Sequence, residues 1–477
     1  MNCHEVTSDQ RSAVPLITRH LSLITAFMKP LKIGITGVRG IVGETFTPEL
    51  ATGFAQAFGT YLDAGRILVN RDTRPSGPMV RSAVMAGLLA AGCEVTDLGI
   101  CPTPTMQLAV KQLDAQGGIS ITAGHNPSQW NALKFVRADG LYLNFTQAEE
   151  LLDVYHQGEF TKAKWNQIQT RIESHDAIEH HLEVLKSVFE VAAIRAKKLT
   201  VAVDCCNGAC ALFSPRWLTE LGCTVLAIND DISAPFPHNP EPKRETMAQL
   251  RAVVKAGHAD IGFAHDANGE RLGIVTETGE PLSEELTLAL AVEIKLSRQP
   301  GPVVTHLSTS RVIESIAARY GATVIRTPVG QSYISEAMLE HHAVIGGEGN
   351  SAVALPEVHA TNDSAATIGL ILEYLAKTGK RISTMAAALP QMTMLKHNVP
   401  VEPHRIYSVL QELRDDIEAA GATDVDQSDG IRLSWPDGWV HIRASNTESM
   451  IRLIAESENE KRANELMDWA RNELKKR

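Results

Sequence analysis

The feature that most constrains this chain is an alternation of short β-rich runs with amphipathic helical ones. RILVNRDT is a strand candidate, and GPMVRSAVMAGLLAAG carries apolar residues at helical spacing before closing on glycine. EVTDLGI, PTPTMQLAVKQL and GGISITAG continue as strand, proline-opened helix and strand. A β-α-β-α-β series predicts a largely parallel sheet covered by helices. The rhythm restarts at KLTVAVDCCNGACALFSPRWLTELGCTVLAIN, and again at GPVVTHLSTSRVIESIAARYGATVIRTPVGQSYISEAMLEHHAVIGGEGN. ARYGATVIRTPVG repeats the rhythm of AAGCEVTDLGICPTP, which suggests internal repetition. From MLKHNVP onward the pattern changes. GIRLSWPDGWVHIRASNTESMIRLIAES reads as strands around a Pro-Asp-Gly turn, a polar loop, a further strand and the start of a terminal helix.

A chain of 477 residues spans several domains. The expected fold class is α/β: three consecutive mixed-sheet α/β domains at 28–165, 166–280 and 281–392, then an α+β domain at 393–477. Residues 1–27 carry Arg11, Arg19 and His20 around short apolar pieces without a clean signal-peptide pattern, and read as a disordered extension or an upstream start. The net charge of −11 argues against a nucleic-acid surface, and Lys475-Lys476-Arg477 reads as a solvated helix end. No run of 18 apolar residues occurs, so no membrane span is expected. The seven cysteines are odd in number in a long chain, which fits a reducing cytosol better than a disulfide scaffold. Cys206 and Cys210 lack two further ligands at zinc spacing and read as structural. His341-His342 reads as a solvated pair near a helix end. The sequence leaves monomer and homodimer open.

In open α/β sheets, ligands bind at loops beyond the strand C-termini. The polar loops TAGHNP, HDANGER and GGEGN fall at such points, and with RASNTES they place loops from four domains at one cleft. Taken alone, His125 reads as a loop brace or a cleft group. Asp266, Asn268 and Glu270 read as cation ligands or as a plain polar turn. Glu348 reads as turn chemistry or a ligand contact. Arg443 with Ser445, Asn446 and Thr447 suits a phosphate monoester, through a guanidinium fork, hydroxyls and backbone N–H groups.

Together the motifs GITGVRGIVGETFTPELA, RDTRPSG, TAGHNPSQWNALKF, DANGERLGIV, GGEGN and RASNTESMIRL, in that order, make the chain resemble the α-D-phosphohexomutase superfamily. The resemblance runs from about Leu31 to the C-terminus. It implies a soluble enzyme of cytoplasmic carbohydrate metabolism that isomerises a hexose phosphate through a phosphoserine and a bisphosphate intermediate. It also implies a Mg²⁺ ion held by three Asp of one loop. By the same resemblance, Arg39 approaches a phosphate, Lys134 moves protons, and His125 and Asn126 belong to the catalytic loop. Arg271, Glu348 and Asn350 contact the sugar, and Arg443, Ser445, Asn446 and Thr447 hold its phosphate.

Two motifs depart from that pattern. The catalytic loop of the family reads Thr-Ala-Ser-His-Asn-Pro; here Gly124 stands at the serine position, and glycine cannot carry a phosphoryl group. The metal loop of the family reads Asp-x-Asp-x-Asp-Arg; here it is Asp266-Ala267-Asn268-Gly269-Glu270-Arg271, one charge poorer and one methylene longer. The changes fit each other, because a phosphoserine is itself a metal ligand and unneutralised carboxylates in one loop repel. Asn362 and Ser351 also stand where relatives usually place Arg and Gly. Ser120, Thr122 and Ser128 are the hydroxyls near Gly124. Two expectations remain: a mutase-type enzyme with a substitute acceptor or direct transfer from a bisphosphate, with weak or absent Mg²⁺, and a non-catalytic protein that binds phosphosugars.

Overall fold

A computed structural model describes residues 31–34, 37–174, 176–415, 421–445 and 450–476. The extension at 1–27, and Asn446 and Thr447 of the polar C-terminal loop, lie outside the described residues.

Four sheets follow one another along the chain. In the first, the parallel strands Glu94–Ile100, Arg66–Arg71 and Gly117–Ile121 are followed by antiparallel Trp130–Arg137 and Gly37–Ile41. The short strand Ile172–Glu173 pairs with Thr96 and Asp97 at the far edge. The second sheet runs Thr224–Ile228, Thr200–Asp204, Ile261–His265, Leu272–Thr276, with the last strand antiparallel. The third repeats this order as Val324–Thr327, Val303–His306, Ile345–Glu348, Ala352–Leu355, with His359–Asn362 added outside. Counting from Arg66–Arg71, all three sheets therefore share one spatial order: second strand, first, third, fourth. The repetition visible in the sequence is this topology.

The repeat positions the polar loops. Residues 122–129, 266–271 and 349–351 each connect the third strand of a unit to its antiparallel fourth. They are the same structural element used three times, at the strand ends where open sheets gather ligands. The fourth sheet is antiparallel throughout and is covered by the helices Ile406–Asp415 and Glu460–Lys475.

The helices form where caps and apolar periodicity agree. Thr47 accepts from Leu50 N ahead of Pro48 at the first turn of Pro48–Tyr61. Asn144 and Gln147 make a capping box at Phe145–Gln157, which ends on left-handed Gly158. The helix Ser364–Thr378 is buried from Ser364 through Leu375. It lies in a single apolar core that includes Trp217 and Phe263 of the second unit and Ile345 and Leu372 of the third. The fourth domain has a core of its own around Leu433, Val440 and Leu453. All six described cysteines are free thiols.

Beside the apolar core shared by the second and third units, several buried contacts between units are polar and involve histidine. His181, on the helix Ala177–Val188, hydrogen-bonds Thr105 Oγ1 (2.9 Å) on one side and Asp363 Oδ2 (2.9 Å) on the other. The same oxygen meets His359 Nε2 at 3.1 Å, and Asp363 Oδ1 caps the helix from Ala365 and Ala366. Burial opposes ionisation of Asp363, but the two histidines outweigh it and hold its pKa far below the usual carboxylate range. His265 sits between Ser214 Oγ (2.8 Å) and Ser364 Oγ (2.9 Å). His441 meets Ser308 Oγ at 2.8 Å and the Asp429 carbonyl at 2.7 Å.

Two measurements follow from these seams. Asp363→Ala is expected to cost about 3–5 kcal/mol in urea denaturation, because it unpairs buried histidines and removes a helix cap. A loss below about 1 kcal/mol, the cap alone, would show that the seam does not depend on the carboxylate. The second concerns pH. Burial pushes His265 and His441 down from 6.5 to about 4. Their folded forms bind a proton less readily than the unfolded chain, so their stabilisation is complete above about pH 6.5 and is lost as pH falls toward 4. The melting midpoint is expected to drop steeply across that window, and His265→Gln with His441→Gln is expected to flatten the drop.

Candidate active site

The loop 122–129 takes its shape from one buried side chain. Arg74, at 0 % exposure, directs all five guanidinium N–H groups at fixed acceptors. Nε donates to Asp72 Oδ2 (2.9 Å). One terminal nitrogen donates to the carbonyls of Pro127 (2.6 Å) and Trp130 (3.1 Å), the other to those of Gly124 (2.7 Å) and Asn126 (2.6 Å). Thr122 Oγ1 donates to Asp72 Oδ2 (2.5 Å) and accepts from Gly124 N (3.0 Å). The RDTRPSG motif is thus the inner mould of the TAGHNP loop. Ser120 and Thr122 are fully buried and engaged, Ser120 with Thr103 Oγ1 at 3.0 Å. Ser128 is exposed.

Gly124 is in the left-handed region at φ +55°. A Cβ there would point into the 266–271 loop, 3.3 Å from Asn268 Oδ1 and 3.8 Å from Asp266 Oδ2. Both oxygens are buried without a hydrogen-bond partner. The other oxygen of Asp266 accepts from the backbone N–H of Glu270 (2.9 Å) and Arg271 (3.2 Å), and Asn268 Nδ2 donates to Thr103 Oγ1 at 2.8 Å. Burial, with Glu270 close by, raises Asp266 to about 6.

Glu270 turns elsewhere. Its Oε2 accepts from Lys134 Nζ at 2.5 Å, and Oε1 accepts from Tyr142 OH. Lys134 also lies 3.3 Å from Tyr142 OH. Burial favours the neutral form of Glu270, but Lys134 and Tyr142 overcome it, and its pKa falls below the ordinary value. Arg39 donates to Asn126 Oδ1 at 2.7 Å. Burial is the main cause of its fall to about 10, and Arg271 and Arg74 add to it against the pull of Glu270. Burial also drives His125 well below 6.5, helped by Arg271, Arg39, Lys134 and Lys243.

The remaining groups open onto a cavity of about 390 Å³ lined from all four domains. His125 and Asn126 come from the first, Lys243 and Arg271 from the second, His306 and Asn350 from the third, and Arg443 and Arg452 from the fourth. Glu241 holds Arg271 (2.9 Å) and Lys243 (2.8 Å). Glu348 stands beside the cavity; its carboxylate accepts from Asn362 Nδ2 at 3.2 Å, and burial raises its pKa. Asp429 Oδ2 accepts from Arg443 Nε and from Val329 N, both at 2.9 Å, which fixes the guanidinium at the cavity. Ser445 is buried at the start of the C-terminal loop.

The structure therefore gathers Arg39, Gly124, His125, Lys134, Asp266, Asn268, Glu270, Arg271, Glu348, Asn350, Arg443 and Ser445 around one cleft. Glu270 is engaged by Lys134 and Tyr142, whereas Asp266 Oδ2 and Asn268 Oδ1 face the position of Gly124. Among the described residues, no group of three or more His, Cys, Asp or Glu is arranged to hold a metal. The two oxygens left without partners beside Gly124 are one carboxylate and one neutral amide oxygen, and such a pair does not fit Mg²⁺, which takes an octahedron of hard oxygens. Sequence reasoning missed Arg74 as the brace of the loop, and Tyr142, Lys243 and Arg452 altogether. Arg74 lies inside the RDTRPSG motif, whereas nothing in the spacing marks the other three.

Comparison with known proteins agrees with this architecture. The four domain descriptions of the phosphoglucomutase/phosphomannomutase family match in order: α/β/α domain I at residues 30–162, domain II at 179–279, domain III at 283–393 and the C-terminal domain at 398–472. A phosphoglucomutase/phosphomannomutase from Thermococcus kodakarensis is 37% identical over 442 residues, 91% of this chain and 96% of that protein. The crystal structure of a phosphoglucomutase/phosphomannomutase family protein from Burkholderia thailandensis superposes with a TM-score of 0.81 at 27% identity, covering 93% of this chain and 96% of the other. An N-acetylphosphoglucosamine mutase from Aspergillus fumigatus, solved with GlcNAc-6P and magnesium, shares the fold at 17% identity and a TM-score of 0.54, covering 86% of this chain and 83% of that one. With all four family domains matched in order and a relative this similar over nearly its whole length, the chain belongs to the phosphoglucomutase/phosphomannomutase family of the α-D-phosphohexomutase superfamily.

Proposed function

We propose that this protein binds a hexose phosphate in the four-domain cleft and does not run a phosphoserine-dependent mutase cycle. Gly124 carries the reading. The loop around it is fully formed, and the cleft beside it is lined with cations suited to a sugar phosphate, yet residue 124 offers no oxygen to accept a phosphoryl group. The two nearest hydroxyls do not replace it, since Ser120 and Thr122 are buried and engaged by Thr103 and Asp72. The phosphate of the ligand belongs at Arg443 and Ser445, and its hydroxyls at Glu348 and Asn350. The fungal relative solved with GlcNAc-6P supports a ligand of this class. Asp266 and Asn268 do not supply a Mg²⁺ site by themselves, because Asn268 is a neutral ligand. The setting is the reducing cytosol.

Glucose 1-phosphate, mannose 1-phosphate or glucosamine 6-phosphate is expected to raise the melting midpoint of the wild type, and Arg443→Ala is expected to abolish the rise. A charged hydrogen bond to phosphate is worth about 1.5–3 kcal/mol. Equal shifts in the two proteins would refute the assignment of the phosphate site.

Incubation with glucose 1,6-bisphosphate is expected to leave the intact mass of the wild type unchanged. Gly124→Ser is expected to take up a phosphoryl group and recover only part of a mutase activity. A side chain at this left-handed position costs about 1–2 kcal/mol and presses on Asn268. Gly124→Ser with Asn268→Asp is expected to exceed either single change. A kinetically competent adduct on wild-type Ser128 would overturn the reading.

A further inference from the structure

The residues that replace the family pattern at 124, 268 and 270 form an arrangement with its own logic. Glu270 is the acid with the added methylene, and both of its oxygens are taken, one by Lys134 Nζ at 2.5 Å and one by Tyr142 OH. An Asp at 270 would fall short of Lys134 by about one carbon–carbon bond, ~1.5 Å. Lys134 is 6 % exposed, so its charge needs a fixed partner. Asp266 commits one oxygen to the backbone of its own turn, and Asn268 commits its amide nitrogen to Thr103. The oxygens left over, Asp266 Oδ2 and Asn268 Oδ1, face Gly124 without a hydrogen-bond partner.

Charge counting agrees with the geometry. Asp266 and Glu270 are the carboxylates of the turn. Lys134 pairs with Glu270 at 2.5 Å, and Arg271 pairs with Glu241 at 2.9 Å. A divalent ion bound through Glu270 would have to take that carboxylate from Lys134.

We infer that the Lys134 ammonium is the built-in counter-charge of the 266–271 loop, standing in for a divalent metal, and that Glu270 serves either Lys134 or a metal but not both. Lys134 is then a positioning residue that fixes Glu270 and, through it, the turn beneath Gly124. The inference deepens the reading of a phosphosugar site without a phosphoserine cycle. It is tested with metal alone, so that its failure is separate from failure of sugar-phosphate binding.

The probe is Mn²⁺, counted by loss of the free-ion electron paramagnetic resonance signal, together with the melting midpoint in EDTA, MgCl₂ and MnCl₂. Wild type and Asn268→Asp are expected to hold no stoichiometric Mn²⁺ and to melt at the same temperature in all three solutions. Lys134→Met with Asn268→Asp frees Glu270 beside a restored third carboxylate. It is expected to bind one Mn²⁺ and gain several degrees on saturation. Stoichiometric Mn²⁺ on the Asn268→Asp protein, or none on the folded double variant, would overturn the inference. Should the double variant not fold, Glu270→Gln decides. It strands the Lys134 charge and is expected to melt several degrees below wild type, with no recovery in either metal. A midpoint equal to that of wild type would overturn the inference.

Discussion

The cleft depends on the way one guanidinium is satisfied. Arg74 is buried, carries a charge that cannot be shed, and makes five hydrogen bonds, three to main-chain carbonyls of the loop 122–129 and one to that of Trp130, where the next strand begins. A buried charge with a donor unfilled would be strongly destabilising, so the loop is held to the one conformation that fills every donor. Because the acceptors are carbonyls, the shape of the loop does not depend on which side chains it displays. A glycine at 124 leaves the mould unchanged.

The same device recurs in simpler form in the other two units. The segment after the first strand of each unit reaches the loop after the third. Ala209 N donates to the Ala267 carbonyl at 2.9 Å, and Gly349 N donates to Thr309 Oγ1 at 3.2 Å. In each unit the switch point of the sheet sets one loop against another. Three such pairs, turned to one centre, gather groups from distant parts of the chain.

Much of this architecture is legible in the amino-acid sequence. The strand and helix rhythm announces three α/β units and a different fourth, because periodicity is a local property. The polar loops stand out because Gly, Asn and Asp cluster where strands end. The pairings that give the site its character are not legible there. Lys134 meets Glu270 across 136 positions, and His181 meets Asp363 across 182. No spacing rule reaches that far. By its place in the loop Glu270 reads as a long metal ligand, and only its distant partner shows it to be half of an ion pair. Likewise the break between the second and third units at 280 is a change of sheet in the sequence, whereas the apolar core runs straight across it.

That shared core has a mechanical consequence. Ser364–Thr378 is packed between Trp217 on one side and the third sheet on the other, and Trp217 Nε1 donates to the Ala365 carbonyl at 3.2 Å. Close-packed interiors do not shear by small amounts without opening voids, so these two units turn as one piece. The fourth domain has a separate core and meets the third through Lys396 with Glu285, His441 with Ser308, and Glu456 with the Arg311 backbone. These are separate polar pairs rather than one continuous apolar core, as at other boundaries between domains that can move. A rotation at that boundary would carry Arg443 toward or away from the loops of the other three domains.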